Sequence, residues 1–193
     1  MLMTNENVKL YWHDRLLAAT LVKLLPRDLH PNHLTILRVI LTPCVLYYLW
    51  LEAWEIVLPL FLFAAFTDMV DGSLARVRKQ ITMWGTIADP AADKFLIGSV
   101  VVLFVAKEVN SVFAAVIVII ELLIIIAGVI RHRRGHLVSA NWYGKLKMLF
   151  QVIGVTALLI AKLSGLNLFV PFSVGTFSLA IVFAVMSLLT YGL

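Results

Sequence analysis

Long apolar runs separated by short polar turns dominate the chain. Six stretches reach the roughly 20 mainly apolar residues that a bilayer span requires: residues 34–51, 56–75, 86–107, 111–130, 145–163 and 167–191. The intervening segments are short, so consecutive helices are expected to run antiparallel. Ahead of the first run, residues 5–25 carry a different pattern. Val8, Trp12, Leu16, Leu17, Leu21, Leu24 and Leu25 supply apolar positions, while Lys9, Arg15 and Lys23 can reach headgroups. This predicts an amphipathic helix lying in the membrane interface. A signal peptide is the weaker reading, because Asp14 and Arg15 interrupt any apolar core and no clear cleavage site follows. The expected architecture is an all-α integral membrane protein. Residues 1–30 form the N-terminal amphipathic interfacial helix, and residues 31–193 form one domain of six transmembrane helices. No repeat, low-complexity tract or Ser/Gly linker points to a further domain.

Composition agrees. Of 193 residues, 62% are hydrophobic and only 14% charged, against roughly 45–50% and 25% in soluble domains. Together with a mean hydropathy of +0.97, this excludes an ordinary soluble domain and a disordered chain. The single cysteine, Cys44, excludes a disulfide scaffold and a Cys-rich metal site. In so apolar a chain the net charge of +5 points to basic loops at a cytoplasmic membrane surface rather than to nucleic acid. One side of the expected bundle collects 14 of the 16 Lys and Arg, and the other has only Lys107 and Lys162. That bias places both termini in the cytoplasm and the protein in the cell membrane. Trp12, Trp50, Trp54, Trp84 and Trp142 all fall near expected span ends, as an interfacial belt requires.

Four aspartates break the apolar pattern of spans two and three: Asp68, Asp71, Asp89 and Asp93. An ionised residue at mid-span costs at least about 2.5 kcal/mol to insert, so four together need a partner. Asp68 and Asp71 share a helix face, as do Asp89 and Asp93. In a hairpin closed near residues 77–84, Asp68 falls level with Asp93 and Asp71 with Asp89. The two levels lie about one helical turn, some 5 Å, apart. Hard carboxylate oxygens in such a cluster suit Mg2+ or Mn2+, and two ions would form the clamp used in phosphoryl displacement. Two other readings stay open on the carboxylates alone. Asp89-Pro90 could be the N-cap and first residue of a helix, or the aspartates could line a cation transport pathway.

The neighbours favour phosphate chemistry. Gly72 and Ala75 leave the face beside Asp71 open to a bulky anionic group. Arg76, one turn from Gly72, offers a bidentate fork for phosphate oxygens, and Gly85 opens the next span opposite it.

The stretch Asp68-x2-Asp71-Gly72-x2-Ala75-Arg76-x8-Gly85-x3-Asp89-x3-Asp93 resembles the signature of the CDP-alcohol phosphatidyltransferases at all eight fixed positions and all spacings. Six spans with an interfacial helix are similar to that family too. The resemblance implies a membrane-embedded, homodimeric enzyme of phospholipid synthesis that uses CDP-diacylglycerol and two divalent ions. It implies that Asp68, Asp71 and Asp89 hold the metals, and that Asp93 is the general base and also touches one metal. Gly72, Ala75, Arg76 and Gly85 would cradle CDP. Pro31-Asn32-His33-Leu34-Thr35-Ile36-Leu37-Arg38 resembles the family's first-span entrance, which adds Asn32 and Thr35 to the nucleotide contacts; Thr82 is a further candidate. The active site would lie on the cytoplasmic side.

The acceptor is expected at a second basic cluster on the same side. Arg131, Arg134, Lys145 and Lys147 form, with His132 and Arg133, a set able to bind an anionic alcohol such as glycerol 3-phosphate. Ordinary positive-inside topology also accounts for any one of them. Asp89-Pro90-Ala91-Ala92-Asp93-Lys94 and Gly144-Lys145-Leu146-Lys147 with Gln151 resemble the phosphatidylglycerophosphate synthases. Those synthases carry Arg before an acidic residue in span four and again about two turns later, where this chain has Ile120 before Glu121, and Gly128. Arg131 could substitute. Glu121 could pair with a basic residue of the cluster or position an acceptor. Other acceptors within the class are phosphatidylglycerol, inositol phosphate and serine. Readings of another class are a cation transporter and a catalytically silent scaffold.

Overall fold

The computed structural model describes residues 30–78, 83–133 and 142–190, as backbone only at 69, 76, 83–91, 93, 129 and 131–133. The expected interfacial helix at 5–25, and with it Thr82 and Arg134, lies outside the described residues. The described residues form six helices: α1 Pro31–Trp50, α2 Trp54–Val77, α3 Met83–Glu108, α4 Ser111–Arg133, α5 Trp142–Ser164 and α6 Phe169–Thr190. Each coincides with one expected span to within a few residues at either end. Five are long and apolar enough to cross a membrane: α1, most of α2, Ser111–Gly128 of α4, α5 and α6. At 26 residues, about 39 Å, α3 also exceeds the thickness of a bilayer core. It falls outside that set because Asp89, Asp93 and Lys94, with Lys107 and Glu108 at its end, interrupt its apolar length.

The chain divides into two compact units, residues 1–96 and 97–193. In the first, α1 opens with Pro31 in its first turn, where a missing N–H is harmless. Its buried residues are Pro31, Thr35, Arg38, Thr42, Val45 and Leu49, alternating steps of four and three along one face. A three-residue turn, with Glu52 in the left-handed region at φ 56°, returns the chain into α2. The buried face of α2 begins apolar with Val57, Phe61 and Ala64 and turns polar at Thr67 and Asp71. Thr67 Oγ1 satisfies itself by donating to the Ala64 carbonyl at 2.7 Å.

In the second unit, Asn110 caps α4, its Oδ1 accepting the Val112 and Phe113 amides at 2.7 and 3.3 Å. Gly165, at φ 72°, ends the turn after α5. The core is α5 against α6, and α6 also packs on α4. The buried face of α6 is small and partly polar, with Ser173, Thr176, Ala180, Ala184 and Ser187, which lets neighbouring backbones approach closely. Gly154 marks the tightest point. A Cβ there would meet Phe177 Cε1 and Thr176 Oγ1, both at 2.7 Å. The Phe177 ring is fully buried, so it can give way only by disturbing the packing around it. Gly154→Ala is therefore expected to cost about 1–3 kcal/mol through overpacking, read as a lower melting temperature in detergent. Gly175→Ala is the control, because its Cβ meets nothing within 4 Å.

Large apolar side chains line the outside, among them Ile40, Val112, Ile119 and Leu122. Such a surface would aggregate in water and is at home in lipid.

Candidate active site

Two polar clusters stand out in the described structure, one in each unit. In the first unit, Asp68 and Asp71 lie three residues apart on α2 and converge on one cation. That cation is Arg38, on the buried face of α1. Its Nη1 pairs with Asp68 Oδ1 at 3.1 Å, and its Nη2 donates to Asp71 Oδ2. Arg38 and Asp71 are almost fully buried (1% and 2% exposed), whereas Asp68 is 39% exposed. The sequence brings this about by placing Arg38 in the same buried stripe as Thr35 and Thr42. Thr42 Oγ1 donates to the Arg38 carbonyl at 2.8 Å, so that hydroxyl is satisfied within its own helix.

Arg38 was not among the expected site residues. It counted as one more cytoplasmic cation, although its position inside an apolar span was a signal of the same kind as the aspartates. Asn32 and Thr35, expected to contact nucleotide, stand two and one turns before it on α1. Thr35 is fully buried, its Oγ1 at 3.5 Å from the Pro31 carbonyl, and Asn32 is half-buried. Gly72 and Ala75 are half-buried on α2 beside Asp71. Gly85, Asp89 and Asp93 take their expected places on α3, and Arg76 on α2, as backbone. The alternative of a helix start at Asp89-Pro90 is incorrect: α3 begins at Met83, so both residues are interior to it.

Among the described residues no three His, Cys, Asp or Glu side chains converge as a metal site. Asp68 and Asp71 nevertheless fit a cation. Both already aim an oxygen at a shared positive charge, and oxygen-only donors of this kind suit Mg2+ or Mn2+.

The second cluster joins α4 to α5. Lys147, 6% exposed, donates to both oxygens of Glu121 at 2.6 and 2.7 Å. Gln151 Nε2, one turn on, donates to Glu121 Oε1 at 3.1 Å. Glu121 and Gln151 face a small recess of about 10 Å3, walled by Ile117, Ile120, Phe177 and Ala184. That is room for about one water molecule. Of the expected acceptor residues, Lys145 is exposed on α5 and Lys147 is buried against Glu121. Arg131 is described as backbone near the end of α4. The partner of Glu121 is thus a lysine of the basic cluster, with Gln151 in support.

Comparison with known proteins bears on the family of the chain. The sequence profile of the CDP-alcohol phosphatidyltransferase family matches residues 28–190. A CDP-diacylglycerol–glycerol-3-phosphate 3-phosphatidyltransferase of Bacillus subtilis (strain 168) is 30% identical over 178 residues, 81% of this chain and 90% of its own. The Haemophilus influenzae protein of that name is 34% identical over 137 residues, covering 67% of this chain and 74% of its own. A probable phosphatidylglycerophosphate synthase of Mycobacterium tuberculosis is 34% identical over 145 residues, covering 69% and 66%.

Proposed function

The chain belongs to the CDP-alcohol phosphatidyltransferases, and from that premise we propose that it moves a phosphatidyl group from CDP-diacylglycerol to glycerol 3-phosphate in the cell membrane, releasing CMP. The observation that carries this reading is the convergence of Asp68 and Asp71 on one cation within the complete eight-position motif. The acceptor follows the names of the relatives.

In this reading Asp68, Asp71 and Asp89, together with Asp93, would hold two Mg2+ or Mn2+ ions. Bound there, the ions would supply charge neutralisation at the pyrophosphate. The protein's own residues do the rest. Gly72, Ala75 and Gly85 leave room for the nucleotide, and Arg76 offers its fork to the phosphates. Asn32, Thr35 and Thr82 complete the CDP contacts. Asp93 takes the proton from the acceptor hydroxyl. The acceptor oxygen bonds to the lipid-side phosphorus, the bond from that phosphorus to the bridging oxygen breaks, and CMP leaves with that oxygen. Positioning and electrostatics account for most of the acceleration. Arg131, Arg134 and Lys145 attract the acceptor's phosphate, and Lys147 adds less, because Glu121 already holds it. We place the site and both termini on the cytoplasmic side, where 14 of the 16 Lys and Arg gather, and take the working unit to be a homodimer.

One observation favours a second acceptor reading. The Lys147 charge is already met by Glu121, and Ile120 and Gly128 add none beside it, which favours an acceptor with no phosphate monoester, serine or phosphatidylglycerol, as the second reading. The test is CMP release by purified protein with CDP-diacylglycerol and Mg2+, one acceptor at a time. Release with glycerol 3-phosphate, abolished by a chelator, is expected. Release with another acceptor alone would keep the chemistry and replace the acceptor. Cation flux in liposomes without CMP release would instead favour transport.

A further inference from the structure

The Asp68/Asp71 pair already has a cation of its own. We propose that Arg38 is the resident counter-ion of this pair: it offsets part of the charge of the two carboxylates and holds them in the metal-free protein, and it competes with divalent cations for them. The inference rests on the reading of Asp68 and Asp71 as cation ligands.

Three observations carry it. First, the contact is direct and divided, one terminal nitrogen to each carboxylate, so Arg38 draws on the same oxygens that a metal would use. Second, Arg38 and Asp71 are both almost fully buried. A buried carboxylate with no cation is strongly unfavourable. A guanidinium does not lose its charge near neutral pH, so Arg38 answers to a second cation only by moving or by being repelled. Third, the charges balance without it once metal is bound. Four aspartates carry four negative charges, and two divalent ions carry four positive ones. The two ions thus supply more charge than Arg38 can, and the carboxylates depend on Arg38 most when the metals are away.

The experiment compares wild type, Arg38→Gln, Arg38→Lys and Asp68→Asn as full-length protein in detergent. It reads Mn2+ affinity by electron paramagnetic resonance of the free ion, and melting temperature with and without Mn2+. Arg38→Gln is expected to bind Mn2+ about tenfold or more tightly, since a like charge has gone from the ligands. Without metal it should melt lower than wild type, and Mn2+ should raise its melting temperature more than that of wild type. Arg38→Lys keeps the charge but reaches only one carboxylate well, so its affinity should fall between the two. Lys decides the matter if the Gln variant does not fold: an affinity equal to or weaker than wild type then overturns the proposal. Weaker or unchanged Mn2+ binding by Arg38→Gln overturns it as well, because Arg38 would then organise the ligands or stand apart from them. Asp68→Asn separates the two levels. If it binds Mn2+ as wild type does, the reading of Asp68 as a ligand fails, and the inference fails with it.

Discussion

Asp93→Asn is expected to lower CMP release by about 10²–10⁴-fold, the range lost with a positioned general base. The amide has nearly the shape of the carboxylate, so packing around α3 is conserved while the ability to accept a proton is lost. The substitution also removes one negative charge from the cluster, so weaker Mg2+ binding should accompany the loss in rate. Initial rates at saturating Mg2+ separate the two effects. A rate that recovers fully at high Mg2+ would make Asp93 a ligand and not the base. Full activity at all Mg2+ concentrations would remove it from the chemistry. A catalytically silent scaffold predicts no effect of the substitution on any function.

The largest expected effect on stability is at Glu121. The Glu121–Lys147 pair is part-buried, Lys147 at 6% and Glu121 at 20% exposed, so removing the acid should cost toward the lower end of the roughly 3–5 kcal/mol seen for buried pairs, because the lysine charge stays behind. Glu121→Ala leaves the Lys147 ammonium without the two carboxylate oxygens it now donates to. The melting temperature in detergent should fall by roughly 6 °C or more. Glu121→Gln keeps an acceptor for Lys147 and should lose less. The double variant Glu121→Leu/Lys147→Met removes both charges and should recover most of the loss, since apolar replacements of buried pairs are often neutral or better. A double variant as unstable as Glu121→Ala would locate the stabilisation elsewhere, in the hydrogen bonds of Gln151.

Much of this was legible in the sequence. Apolar runs of span length gave helix positions to within a few residues because membrane insertion imposes one dominant constraint, the length of continuous hydrophobicity. Asp68 and Asp71 were legible as partners on one face from spacing alone, and the structure has both on one cation. Arg38 was missed for a physical reason. Counting basic residues assigns sides of a membrane, but it does not say whether a side chain reaches the interface or turns inward. The buried stripe Thr35, Arg38, Thr42 answers that, and its period of three and four was present in the sequence. Asp89-Pro90 misled because the local signature of a helix start is the same whether or not a preceding turn already exists; α3 had begun at Met83. The partner of Glu121 depended on which residues of α5 face α4, a matter of helix rotation that loop length and hydropathy leave undetermined.

Helix α5 is tied by a lysine near each end, Lys147 to Glu121 on α4 and Lys162 to Glu108 at the end of α3. Both acidic partners precede α5 in the chain, so both are synthesised first. During synthesis α4 is complete before Lys147 is added, so its own hydropathy has to offset the cost of carrying Glu121. The most apolar of the candidate spans is α4, which suits a helix that carries an acid ahead of its counter-charge. Biogenesis thus sets a demand on α4 that the finished fold no longer reveals: its string of Ile, Val and Leu serves the half-made chain as much as the mature one.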